Sequence, residues 1–191
     1  IFQAHIPRDV TVFPLIPDLE AITRRFVVRG GFCYCVRRYQ GPVWKYDINQ
    51  AYAAAMRDAD LPCGHAVHIK GNPYDVSDLP FVARIKAHKS GNQVPFYYRS
   101  EIEGRLKTLF SGDTIAETWV TSIEYRQLQA EGWAIHCSEF YVWPRGFSMR
   151  EYVDKLEVLR MNAEGGPSGP IGTMVKATGN HSYGKTLEDI S

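Results

Sequence analysis

Hydrophobic and polar positions change rhythm several times along this chain, and each change predicts an element. Residues 1–22, broken by Pro7, Pro14 and Pro17, read as an irregular lead-in with a short helix near Asp18 to Arg25. Gly30-Gly31 marks a turn. Residues 32–39 and 43–48 then alternate and are rich in β-formers, which predicts two strands of one sheet joined by Gln40-Gly41-Pro42. A helix is expected over 50–58, closed by Leu61-Pro62-Cys63-Gly64. Further strands are expected at 81–88, 94–99 and 133–142, and a helix at 122–131 whose Ser/Glu start supplies a cap. The mixture is an α+β pattern, without internal repeats or low-complexity tracts.

The last forty residues form the clearest unit. Met149, Tyr152, Val153, Leu156 and Leu159 fall on one helical face, with Arg150, Glu151, Asp154 and Glu157 opposite. Gly165-Gly166-Pro167-Ser168-Gly169-Pro170 follows, a run that no helix interior tolerates. A second helix is expected over 171–185, so the pair should form an antiparallel helical hairpin.

Composition narrows the picture. With 191 residues and 45% hydrophobic content, the chain is long enough to bury a core. No run of about 18 apolar residues and no basic-then-apolar leader occurs, so a soluble, cytoplasmic protein (host cytoplasm, if viral) with no membrane partner is the expectation. The net charge of +1 carries no argument for nucleic acid, but its distribution does. Residues 1–45 hold Arg8, Arg24, Arg25, Arg29, Arg37, Arg38 and Lys45 against Asp9, Asp18 and Glu20, whereas 113–139 carries five acids against Arg126. That asymmetry suits a protein that meets DNA on one side, and equally suits solvated surface. Four cysteines make no disulfide framework. Cys63-Gly-His65-x-x-His68 offers three zinc ligands without an obvious fourth, so reduced, structural cysteines are expected.

Chemistry concentrates in two clusters. On the second helix of the hairpin, Thr173, Lys176, Asn180 and Tyr183 share one face, while Ile171, Met174, Val175 and Thr178 lie roughly opposite. A cation, an amide and a phenol in one row pack poorly but suit a nucleotide, with the cation directed at phosphates. Arg160 stands where the apolar stripe of the first helix calls for another hydrophobe, about as far before the turn as Lys176 lies after it. Both cations should therefore reach one triphosphate. The competing reading has Arg160 snorkelling and Lys176 in a surface ion pair. Asp47 ends an expected strand and precedes the helix carrying Tyr52, a position from which a carboxylate can hold Mg²⁺. Alternatively, Asp47 or Asn49 caps that helix.

Taken together, Lys45-Tyr-Asp47-Ile48-Asn-Gln50-Ala-Tyr52 and Lys176-Ala-Thr-Gly-Asn180-His181-Ser-Tyr183-Gly184-Lys185 resemble motif A (D-x-x-S-L-Y-P) and motif B (K-x-x-x-N-S-x-Y-G) of protein-primed, phage-type family B DNA polymerases. Val28-Arg29-Gly30-Gly31-Phe32 is similar to that family's Y-x-G-G segment. The stretch from Ser111 to Phe147 resembles the insertion that contacts the priming terminal protein. The resemblance implies four regions: a lead-in and Y-x-G-G-like linker at 1–30, the first part of a palm with motif A at 31–95, the terminal-protein-region-like insertion at 96–147, and a fingers hairpin with motif B at 148–191.

The same resemblance implies site roles. Asp47 would be catalytic and, with the Ile48 carbonyl, would ligate one or both of two Mg²⁺ ions, with Mn²⁺ as the alternative. Tyr52 would pack under the incoming sugar, Arg160 and Lys176 would hold the triphosphate of a dNTP, and Asn180 and Tyr183 would border the nascent base pair. Arg29, Gly30, Gly31, Gly184 and Lys185 would meet primer-template DNA, and a terminal protein would be a further partner. Gln50 and Ala53 depart from the Ser and Pro of motif A, Val28 from the Tyr of Y-x-G-G, and His181 from the Ser of motif B. The family's Tyr-x-Asp-Thr-Asp of motif C does not occur in the sequence, so this polypeptide alone is expected to be inactive. Two further readings stand beside the polymerase fragment: a non-catalytic polymerase-derived module binding DNA or a protein, and a hydrolase using Asp47 with Glu101 or Glu103.

Overall fold

The computed structural model describes residues 15–29, 38–47, 50–91 and 95–185, with side chains to residue 181. In chain order the elements are α1 (Pro17–Ile22), continued by a π-helical turn (Thr23–Val27), α2 (Ala51–Asp58), β1 (Leu61–Cys63), β2 (Val67–Lys70), β3 (Phe81–His88), β4 (Phe96–Ile102), β5 (Arg105–Ser111), β6 (Thr114–Thr121), α3 (Ser122–Ala130), β7 (Ala134–Val142), β8 (Arg145–Phe147), α4 (Arg150–Met161) and α5 (Pro170–Lys185). The fold is α+β, with antiparallel pairing in its larger sheets. Two compact units share the chain. One takes Cys35–Leu61 and Phe147–Ser191 with Ile1–Val10, and the other takes Thr11–Tyr34 and Pro62–Gly146.

The second of these is built on a four-stranded sheet in the order β2-β7-β3-β6, beside a β4-β5 hairpin. β3 shows why it forms. Phe81, Ala83, Ile85 and Ala87 point to one face and pack with Tyr98, Ile115, Tyr125, Leu128 and Phe140, while Val82 points to the other and packs with Leu19, Trp119, Tyr141 and Trp143. A strand apolar on both faces belongs at the centre of a sheet, and β3 is central. Beyond Val82 the second face turns ionic. His68 meets Glu139 at 2.8 Å, Glu139 meets Arg84 at 2.9 Å, and Arg84 and Lys86 both meet Glu117, a ladder crossing all four strands. Hydrogen bonds from Arg84 and His68 hold the Glu139 carboxyl below its ordinary range, against the upward push of burial, the largest single effect.

Several expectations shift. The helix at 122–130 is capped by Thr121, not Ser122: the Thr121 hydroxyl accepts from the Glu124 amide while the Glu124 carboxylate accepts from the Thr121 amide. Residues 43–47 carry no regular structure, and Val43, Trp44 and Tyr46 are 79%, 84% and 88% exposed. Alternation alone does not hold a strand; ladder hydrogen bonds to a neighbour do, and residues 43–47 have none among the described residues. The strand expected at 32–39 lies almost wholly outside the described residues, as do Cys33 and Cys35. Cys63 and Cys137 are buried, and burial pushes the Cys137 thiol up to about 11, which favours its protonated form. His68 is engaged with Glu139 and stacked on Tyr141, and no group of three potential metal ligands gathers among the described residues. None of the described helices is long and apolar enough to cross a membrane.

In the other unit, α4 and α5 pack as a helical hairpin against α2, around Ala53, Met56, Met149, Tyr152 and Val153. Leu159 departs from its expected place, being 59% exposed one turn beyond the packed stripe. The connection turns on Gly165 and Gly166, whose φ values of 80° and 74° suit glycine. Gly172 is needed for a different reason, since a Cβ there would stand 2.5 Å from the Gly166 carbonyl oxygen and 2.7 Å from the Pro167 carbonyl carbon. The backbone of the turn rests on the first turn of α5. Gly172→Ala is therefore expected to destabilise the hairpin by about 1–3 kcal/mol, as overpacked sites do. A urea midpoint equal to that of the unmodified chain would sink the expectation.

Candidate functional site

The local chain path gathers polar groups on the hairpin unit. α2 starts at Gln50, whose φ of 53° and ψ of 42° are left-handed, and no side-chain cap is made among the described residues. Asp47 is thus not its cap, and it lies exposed three residues earlier. A left-handed conformation disfavours a residue with a Cβ and persists where the surroundings fix it. Here the Gln50 Nε2 donates to Glu157 Oε2 at 2.7 Å, tying the start of α2 to the middle of α4.

Buried Met149 at the start of α4, buried Val153 and partly buried Leu156 form a stripe that leads on to Arg160, whose side chain is 19% exposed. Among the described residues its acid neighbour is Glu157, with Nη1 to Oε2 at 4.0 Å, too long for a hydrogen bond. Its Nε is buried and has no hydrogen-bond partner among the described residues. A buried donor with no acceptor is costly by about 1–3 kcal/mol and favours any anion that reaches it. On α5, Gly172 and Gly179 are buried, and a Cβ at Gly179 would lie 3.7 Å from Leu156 Cδ1, in ordinary contact. Lys176 and Asn180 stay exposed on the same helix.

These side chains meet in a tight crevice among α2, α4 and α5. Gln50, Arg160, Lys176 and Asn180 supply its polar lining, and Ala53, Met56, Val153, Leu156 and Val175 its apolar lining. At about 10 Å³ the crevice has room for no more than one water molecule, so an anionic ligand would meet these cations and amides at its rim, where Lys176 and Asn180 are exposed, and not inside it. Of the residues expected to handle a nucleotide, three are thus brought together: Arg160, Lys176 and Asn180. Tyr52, on the first turn of α2 and 51% exposed, does not line the crevice, nor does Asp47. Tyr183, Gly184 and Lys185 fall in the last turn of α5, beyond the described side chains. Gly30, Gly31, Ile48 and Asn49 lie outside the described residues.

Arg29 requires correction. Its side chain is only 8% exposed, and its guanidinium is fully engaged inside the sheet unit. It donates to Glu124 at 2.7 Å and to the carbonyls of Phe26 and Tyr97 at 2.8 and 2.7 Å. A DNA phosphate has no donor left to take there. Glu101, weighed as a hydrolytic acid, is paired with Arg25 at 3.0 Å. Sequence reading passed over Glu157, which it placed on the solvent face of α4. The i, i+3 spacing of Glu157 and Arg160 was the available clue.

Comparison with known proteins gives a consistent result. A family model described as DNA polymerase type B, organellar and viral, matches residues 1–187. A probable DNA polymerase of Ascobolus immersus is 26% identical over 178 residues, which is 89% of this chain and 14% of that protein. The solved structure of phi29 DNA polymerase in an orthorhombic crystal form superposes with a TM-score of 0.67 at 20% identity, covering 92% of this chain and 32% of that one. Phi29 DNA polymerase complexed with primer-template DNA and incoming nucleotide substrates gives 0.64 at 20% identity, covering 91% and 32%. The chain therefore spans about a seventh of the curated relative and about a third of the solved structures.

Proposed function

The chain belongs to the type B DNA polymerases of organelles and viruses, and we propose that it forms the part of such an enzyme that receives the incoming nucleotide. The observation that carries this reading is the convergence of Arg160, Lys176 and Asn180 on one crevice of the helical hairpin. Arg160 and Lys176 hold the triphosphate through charge-assisted hydrogen bonds. Asn180 and Tyr183 border the nascent base pair. Tyr52 packs under the sugar and excludes a 2′-hydroxyl. Gly30, Gly31, Gly184 and Lys185 face primer-template DNA, and a terminal protein that primes synthesis is the further partner of the 96–147 region.

In the reaction, a primer 3′-hydroxyl loses its proton and attacks the α-phosphate of a dNTP; the new P–O bond forms as the bond to pyrophosphate breaks. Positioning and fixed charge supply most of the acceleration. Asp47 presents an exposed carboxylate, a hard oxygen donor of the kind Mg²⁺ or Mn²⁺ takes, and would hold a divalent ion together with phosphate oxygens and further acids. When bound, such ions neutralise the charge on the attacking and leaving oxygens. One carboxylate does not complete the oxygen ligation of two ions, and no group of three or more potential ligands gathers among the described residues.

Titration of the 191-residue chain with a fluorescent dATP analogue in Mg²⁺ tests the reading. Saturable binding is expected, weakened about 10- to 100-fold by Arg160→Ala or Lys176→Ala, the range for one lost charge-assisted contact. Primer extension by the same chain is expected to be absent. Equal binding by both variants would overturn the nucleotide assignment, and Mg²⁺-dependent incorporation by this chain alone would overturn the need for acids beyond Asp47.

A further inference from the structure

We infer that Gln50 is a positioning residue that keeps Glu157 away from Arg160, so that the Arg160 guanidinium remains available to an incoming anion; this rests on the triphosphate role of Arg160 proposed above. The geometry carries the inference. Glu157 lies one helical turn before Arg160 on α4, where a carboxylate and a guanidinium ordinarily close into an ion pair. Instead the Glu157 Oε2 sits 2.7 Å from the Gln50 amide and 4.0 Å from the Arg160 Nη1. The carboxylate is satisfied by a neutral donor, while the Arg160 Nε stays buried with no hydrogen-bond partner among the described residues.

The position of Gln50 is what makes this possible. Its backbone is left-handed, which aims the side chain from the start of α2 at α4, and its length spans the gap that a serine, the residue of the corresponding motif, does not. Glutamine at this position, a departure from the D-x-x-S-L-Y-P pattern, is thereby matched to a glutamate on the facing helix. Freed from Gln50, the Glu157 carboxylate, already 4.0 Å from Arg160, would close on it and compete with a triphosphate.

The experiment is a thermodynamic cycle on the 191-residue chain, read by binding of the fluorescent dATP analogue. Gln50→Gly removes the amide while relieving the left-handed backbone, so folding is preserved. It is expected to weaken binding about tenfold, the difference one released carboxylate makes to a partly buried guanidinium. Glu157→Gln with Gln50 intact is expected to tighten binding about two- to fivefold, because a negative charge beside the site is gone. The double variant Gln50→Gly/Glu157→Gln is expected to bind at least as well as the unmodified chain. A structural role for Gln50 alone predicts no such rescue. Weak binding by the double variant, weakened binding by Glu157→Gln, or unchanged binding by Gln50→Gly would each overturn the inference. Arg160→Ala separates the two levels: if it leaves binding unchanged, the triphosphate reading itself fails, and if it weakens binding while the cycle shows no rescue, only the role of Gln50 fails.

Discussion

Asp47→Asn, placed in a polymerase that carries this chain, is expected to slow nucleotide incorporation on the order of a thousandfold, the several kcal/mol that metal-held charge contributes to a transition state. The substitution is nearly isosteric and leaves a hydrogen-bonding side chain at the same exposed position, so the fold has no reason to change. Were Asp47 only a helix cap, asparagine would serve as well, since the two residues cap comparably. The cap role finds no support in the structure, because α2 begins at Gln50 and no side-chain cap is made among the described residues. Single-turnover incorporation at saturating dNTP isolates the chemical step, and DNA affinity measured in parallel should move by less than about threefold. A variant that incorporates at the unmodified rate would remove Asp47 from the reaction and leave the hairpin crevice as a binding site without an assigned acid.

Much of the architecture was legible because it follows from short-range pattern. β3 was readable to the residue, since Phe81 to His88 alternates while staying apolar on both faces at one end. The α4–α5 hairpin followed from a helical stripe, a run of Gly and Pro, and a second helix, and Arg160 stood out as a cation in an apolar stripe. What escaped depended on partners far along the chain. Among the described residues β5 pairs with β4 alone, and it is exposed along most of its length, so no alternation marks it. Glu157 looked solvated on its own helix because its hydrogen-bond partner, Gln50, lies 107 residues away. Arg29 looked like part of a basic entry segment because the acid that neutralises it is 95 residues distant. Charge counted along a sequence thus overstates the surface, since it cannot subtract the pairs that folding makes.

That subtraction is sharpest at Arg29, and Arg29→Met is expected to destabilise the chain by about 3–5 kcal/mol, the usual consequence of removing one member of a buried ion pair. Methionine keeps most of the volume, so the loss is electrostatic. Glu124 would be left 25% exposed without its cation while still holding the Thr121 amide in the α3 capping box. The carbonyl oxygens of Phe26 and Tyr97 would lose a donor at the same time. Arg29→Lys sorts this account from a DNA contact. A phosphate contact needs mainly a positive charge, which lysine keeps, whereas the engagement with a carboxylate and several carbonyls needs the planar fork, which lysine lacks. Urea unfolding should therefore place the lysine variant much nearer to methionine than to the unmodified chain. An unchanged urea midpoint in the methionine variant, with DNA affinity reduced, would return Arg29 to the surface role that its neighbours in sequence suggested.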